Sequence, residues 1–154
     1  PQGPPAETLV ANAVRRAARE SKAILVAFEA SWCPWCRRLD RLIASEPGFR
    51  RSYVLVRLTV REREEKRALE NPGWGTLMAR WRGSPEMDVP YLVWLDRTGK
   101  KVADSYRRTG DIPSNAGYPR LEPEIRAFVA TLRTTGKFRK EELSRIARTF
   151  RGGR

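Results

Sequence analysis

The stretch from Ile24 to Ile43 constrains this chain more than any other. Ile24-Leu25-Val26-Ala27-Phe28 is an apolar run long enough for a buried strand and too short for a helix of its own. It runs into Trp32-Cys33-Pro34-Trp35-Cys36, and then into Leu39, Leu42 and Ile43 at helical spacing. A strand entering C-x-x-C and leaving as a helix is the setting in which two cysteines read as a redox dithiol. A helix that begins at the motif puts Cys33 near its N-terminus, where unpaired N–H groups and the dipole favour an anion. The Cys33 thiol is then expected to ionise below its free value of about 8.5, within a range of about 3.5 to 7.5. Pro34 suits the first helical turn, because its missing N–H would have had no partner there. Cys36 comes round to the same face, within reach of a disulfide, and Arg37 and Arg38 add positive charge nearby.

What else the chain contains narrows the chemistry. It has no histidine, which excludes Cys-His proteolysis, histidine acid–base catalysis and any histidine-containing zinc site. Its only two cysteines both lie in the motif, so it is not a disulfide-stapled scaffold. A structural zinc ion takes four protein ligands, so a metal would require a second chain or carboxylates, and none is expected; nor is any other cofactor. A purely structural bridge across so short a loop would add little loop-closure entropy. At 154 residues the chain points to one domain. No run approaches the roughly 18 apolar residues of a membrane helix, and no transmembrane segment is expected. The balance of 31 basic to 18 acidic residues gives +13, a surface that attracts acidic partners. No RNP-like motif, zinc finger or helix-turn-helix gives that charge a nucleic-acid address, so a solvated basic surface is the plainer reading.

The remaining elements follow from periodicity and breakers. Residues 1–5 are a proline-rich lead. Residues 6–20 read as an amphipathic helix, 23–29 as a strand and about 34–45 as the motif helix, ended and turned by Pro47-Gly48. Tyr53 to Val60 reads as a second strand, parallel to the first through the motif helix. Residues 61–70 are charged and helix-favouring, and Leu77, Met78 and Trp81 mark a short helix. A loop from Gly83-Ser84-Pro85 leads to Val89. Pro90 to Asp96 is a third strand, and Lys101 to Ser105 returns antiparallel after a turn. Residues 106–120 read as loop. Leu121 to Leu132 carries a helical stripe closed by Gly136, and Phe138, Leu143, Ile146 and Phe150 mark a last amphipathic segment.

Taken together, ILVAFEASWCPWC, the Val89-Pro90 pair opening a strand, and the Leu95-Asp96-Arg97-Thr98-Gly99-Lys100 hairpin resemble the thioredoxin family, specifically its bacterial thioredoxin-like members. The resemblance covers most of 6–134. It implies an α/β fold, a three-layer sandwich with a central mixed sheet and helices on both faces, here with an extra C-terminal helical segment. It implies a thioredoxin-like domain at 6–134 and a basic extension at 135–154. By the same resemblance Cys33 is the attacking thiol and Cys36 the resolving one. Pro90 carries a cis bond after Val89, and the backbone there pairs with an extended substrate segment. The partners implied are protein disulfides or dithiols and a redox partner protein, with the chain a monomer.

Three departures from the family pattern stand out. Thioredoxin has a buried Asp where this chain has Ala27. Glu29, two residues on and on the same side of the strand, either takes the proton of Cys36 in its place or pairs with a surface Arg. The intervening dipeptide Pro34-Trp35 is closer to the Pro-Tyr of glutaredoxins than to thioredoxin's Gly-Pro, although Trp32 is a thioredoxin trait. Potentials in the superfamily run from about −270 to about −120 mV, and an intermediate value is expected. Finally, from Arg133 onward eight basic residues face two acidic ones. That tail reads as a packed terminal helix with a charged outer face, or as a docking element for an acidic partner or membrane surface.

Trp32 and Trp35 are expected to form an apolar rim around the thiols, whereas Trp74, Trp81 and Trp94 read as packing residues. Tyr118-Pro119 resembles a loop that lies near the active face in relatives. The function expected is thiol–disulfide exchange; the competing reading is a redox-inactive, chaperone-like binding module on the same fold, which would not need both thiols. The proline-rich start without an initiator Met points toward an exported, periplasmic bacterial protein, with a cytoplasmic one as the alternative.

Overall fold

The computed structural model describes residues 2–84, 88–107 and 114–152. Pro1, Pro85, residues 108–113 of the expected loop, and Arg154 of the basic tail lie outside the described residues. The apolar run becomes β1 (Ala23–Glu29), flanked by β2 (Tyr53–Thr59) and β3 (Tyr91–Leu95), with β4 (Lys101–Asp104) beyond, in the order β2-β1-β3-β4. β1 and β2 are parallel, with Ala23 opposite Tyr53 and Glu29 opposite Thr59. β3 runs antiparallel to both β1 and β4, so the sheet is mixed.

The period of two along β1 divides the core between two faces. Ile24, Val26 and Phe28 pack with Ala6, Val10, Ala13 and Ala17 of α1 (Ala6–Glu20) and with Leu77 and Met78 of α4 (Trp74–Arg82). Leu25 and Ala27 face the other way, onto Leu39, Leu42 and Ile43 of α2 (Pro34–Ser45). Ile125, Phe128 and Leu132 of α5 (Glu122–Thr135) and Leu143, Ile146 and Phe150 of α6 (Lys140–Gly152) complete that side. The three-layer α/β sandwich is therefore as expected. The basic segment after residue 135 carries a helix built into the core, and Arg145 at its middle donates to the buried Glu46 carboxylate at 2.9 and 3.1 Å.

The structure differs from the expected elements in three places. Pro47 does stop α2, leaving Glu46 extended, but it then opens a second helix, α3 (Pro47–Ser52), which buries Phe49. A proline at the first helical position is preset for that role. Residues 61–70 form only a 3₁₀ turn at Glu64–Leu69 with no buried residue; without an apolar face, helix propensity alone does not fix an α-helix. Within 106–120, Tyr106–Arg107 (β5) and Ser114–Asn115 (β6) pair as a short antiparallel ladder. Two polar residues a side leave no alternation to read.

Candidate functional site

The end of β1 delivers the motif to the start of α2. Cys33 is the N-cap of that helix, in extended backbone conformation, and its Sγ accepts the Cys36 N–H at 3.1 Å. The two cysteines are joined by a disulfide, with Cα atoms 5.3 Å apart, and each is 2% exposed. Pro34 occupies the first helical turn and faces solvent. Across from the motif, Val89–Pro90 is a cis peptide, and the Val89 carbonyl oxygen stands 3.7 Å from Cys33 Sγ. Folding thus brings Cys33, Cys36 and Val89 together from positions 56 and 53 residues apart in the chain.

Two clamps position these loops, and neither was expected from the sequence. Glu62 is a buried carboxylate that accepts both the Ser31 N–H at 2.6 Å and the Ser31 hydroxyl at 2.7 Å, two residues before Cys33. Beside it the Trp32 indole donates to the Arg61 carbonyl at 2.9 Å. Arg61 lies at φ 52, a left-handed conformation that costs a residue with a Cβ roughly 1–2 kcal/mol. The second clamp is Asn115, whose side-chain N–H group donates to the carbonyls of Asp88 at 2.7 Å and Pro90 at 2.8 Å. Its neighbour Gly117 passes so close that a Cβ there would sit 1.7 Å from the Pro90 oxygen. Glu62 is one carboxylate in a run of charges, and nothing in that pattern marks it. The Asn115-Ala116-Gly117 turn residues were the only signal for the second clamp.

Trp32 is 42% exposed and Trp35 is half-buried, so both reach the surface beside the dithiol. Trp35 rests on Tyr118, ring centroids 5.3 Å apart. The guanidinium of Arg38 lies 4.7 Å and that of Arg120 lies 5.0 Å from the Trp35 ring centre. Behind them an aromatic chain continues from Tyr118 to Phe150, Phe128 and Trp94 at centroid spacings of 5.0, 5.0 and 5.5 Å. Trp94 is fully buried in the sheet, and Trp74 and Trp81 pack against the opposite face.

Glu29 is not part of this rim. It closes β1 on the side of α2, 3.4 Å from Arg57 and beside Asp40, which stands one helical turn after Cys36. Burial first, and then the Asp40 carboxylate, push its pKa up to about 8, with Arg57 only partly opposing. Of the two outcomes weighed for this residue, the structure shows the pairing with an exposed Arg, made by a largely buried carboxyl. Among the described residues no cluster of three or more potential metal ligands occurs, and no helix is long and apolar enough to cross a membrane.

Residues 6–96 match the family model described as thioredoxin-like. The chain belongs to the thioredoxin-like family. Among solved structures this thioredoxin-like chain is similar to a disulphide isomerase from Xylella fastidiosa Temecula1, with 22% identity and a TM-score of 0.51 over 64% of this chain and 72% of that one. It is also similar to a DsbH oxidoreductase, at 21% identity and a TM-score of 0.48 over 84% and 82% of the two chains. A thioredoxin from Thermus thermophilus matches at 18% identity and 0.41 over 80% and 81%. No curated protein sequence matches. The likeness to the Xylella structure, at 22% identity, speaks to the fold alone, and the chemistry is read from the motif itself.

Proposed function

We propose that this protein is a thiol–disulfide oxidoreductase in which Cys33 is the nucleophile and Cys36 the resolving thiol. The observation that carries this reading is the Cys33–Cys36 disulfide at the mouth of α2, with Cys33 Sγ already facing the Cys36 N–H. Once reduced, a sulfur in that place gains a donor and the helix dipole as a thiolate, which lowers its pKa and raises the fraction able to attack.

The exchange then balances as follows. Cys33 thiolate attacks one sulfur of a substrate disulfide; that bond breaks, and the leaving sulfur departs as a thiolate and takes a proton from solvent. Cys36, losing its proton, attacks Cys33 Sγ and expels the second substrate sulfur as a thiolate, which takes up a proton in turn. The substrate gains two electrons and two protons, and the Cys33–Cys36 bridge is restored. The reverse sequence oxidises a dithiol, and the direction follows from the potential against the compartment. The cis Val89–Pro90 turn, with its carbonyl facing Cys33, suits an extended substrate segment held by main-chain hydrogen bonds. Glu29, on the side of β1 that faces α2, is assigned as proton acceptor for Cys36 in its charged form, which its raised pKa of about 8 makes the main form only above that pH.

Insulin reduction with single-cysteine variants tests the assignment. Cys33→Ser is expected to abolish turnover, while Cys36→Ser retains the first attack and accumulates a mixed disulfide visible by mass spectrometry. Full activity in Cys33→Ser would overturn it.

A further inference from the structure

Helix α6 turns one side to the core and leaves another open beside α5. Phe128 and Phe150 close the inner seam between the two helices, ring centroids 5.0 Å apart. On the outer side a groove of about 770 Å³ runs along them. Its floor is apolar, made by Val129 of α5, Phe138 of the connecting turn, and Leu143 and Ala147 of α6. These side chains are recessed, the last two buried and the first two half-buried. Its walls carry Arg133, Lys140, Arg148 and Arg151, all exposed. The carboxylates of the two helices leave most of that charge unanswered. Glu122 takes Arg151 at 2.6 Å. Glu124 accepts N–H groups at the start of α5, Glu142 is buried against Arg51, and Glu141 acts on Arg145. Among the described residues, the side chains of Arg133, Lys140 and Arg148 make no hydrogen bond or ion pair.

Exposed cations above a recessed apolar floor fit a partner that brings both an apolar ridge and negative charge. A bilayer surface is met by apolar side chains that project, and none of the exposed large hydrophobics among the described residues lies in this groove. A groove between helices instead receives an inserted ridge, as an amphipathic helix supplies at i, i+3, i+4 and i+7. We infer that the α5–α6 groove docks a protein partner through an amphipathic helix whose apolar ridge is flanked by carboxylates. The ridge packs on Val129, Leu143 and Ala147, and the carboxylates meet Arg133, Lys140 and Arg148. Lys140 and Arg148 stand roughly 12 Å apart along α6, a span that acidic residues two turns apart on the partner helix cover. Neither cysteine lines the groove, so this docking is independent of the oxidoreductase reading.

With +13 overall, the chain attracts any acidic peptide at low salt, so the test has to separate the groove from net charge. Fluorescence anisotropy with the full chain compares a labelled helical peptide, its Leu ridge flanked by Glu, with the same peptide carrying Gln in place of Glu. The Glu peptide is expected to bind at least about tenfold more tightly. Arg133→Gln with Arg148→Gln, and separately Ser144→Glu, which puts a carboxylate on the groove wall, are each expected to weaken it about tenfold. Arg63→Gln with Arg67→Gln removes the same charge from the 3₁₀ segment and is expected to change affinity by about twofold or less. All of these positions are exposed. Equal binding of the Glu and Gln peptides would overturn the inference. So would equal losses from the groove pair and the distant pair, which would mark attraction to net charge alone. Co-sedimentation with phosphatidylglycerol–phosphatidylcholine vesicles that the groove pair abolishes, without binding of the Glu peptide, would assign this face to a lipid surface and overturn it too.

Discussion

Glu29 holds its proton over a pH range in which most carboxyls are charged. Its folded pKa, about 8, lies above the ordinary 4.5, so between these values the folded state binds more protons than the unfolded one. The contribution of this group to stability is therefore whole below about pH 4.5 and lost as pH rises to about 8. Glu29→Gln is expected to remove that slope: urea midpoints at pH 5, 7 and 9 will decline less steeply in the variant, leaving it the more stable protein at pH 9. If Glu29 also receives the Cys36 proton, the same variant slows release of the mixed disulfide and flattens its pH profile near 8, while the first attack by Cys33 is unchanged. At this scale the sequence announced the two thiols and the odd placement of Glu29, because spacing within a strand and a motif is local, while the role of Pro90 came only with the family resemblance. Glu62 was silent, and Asn115 showed only as a turn residue. Their work is to hold segments 31 and 25 residues away, and a polar residue in a charged or turn-rich run looks the same whether or not it has such a partner.

The elements that carry a dense apolar pattern were legible in the chain: β1, β2, β3 and the stripes of α1, α2 and α5 all lie where periodicity puts them. Short elements were not. α3 was hidden because Pro47 was read as a stop when it is also a start, and β5 and β6 because two residues cannot show a period. Yet the β6 segment governs the site. Gly117 is needed there for closeness, since an added Cβ would meet the Pro90 oxygen at 1.7 Å and its carbon at 2.7 Å. Those are backbone atoms, which cannot rotate away as a flexible side chain would. Gly117→Ala is expected to destabilise by about 3 kcal/mol or more in chemical denaturation. In whatever folded fraction remains, the Val89–Pro90 turn will be displaced from Cys33, so peptide reduction falls further than reduction of a small disulfide that needs no such turn.

At the scale of the molecule, the second face of the sheet is finished by α6, which joins α2, α3 and α5 in one apolar cluster. Phe150 occupies the middle of the aromatic chain between Trp94 in the sheet and Trp35 at the surface. Phe150→Ala is expected to cost about 3–5 kcal/mol in urea unfolding, against about 0.5 kcal/mol or less for Arg148→Ala on the exposed side of the same helix. The amphipathic pattern of this helix was visible in the chain. That it supports the aromatic rim was not, because the contact with Tyr118 spans separate elements. This arrangement also sets an order of events at the ribosome. Translation delivers the cysteines more than a hundred residues before Phe150, so the nascent chain displays its thiols without the brace that will later seat Tyr118 and Trp35. The seating of Tyr118, and through it of Trp35, comes only once this helix has formed.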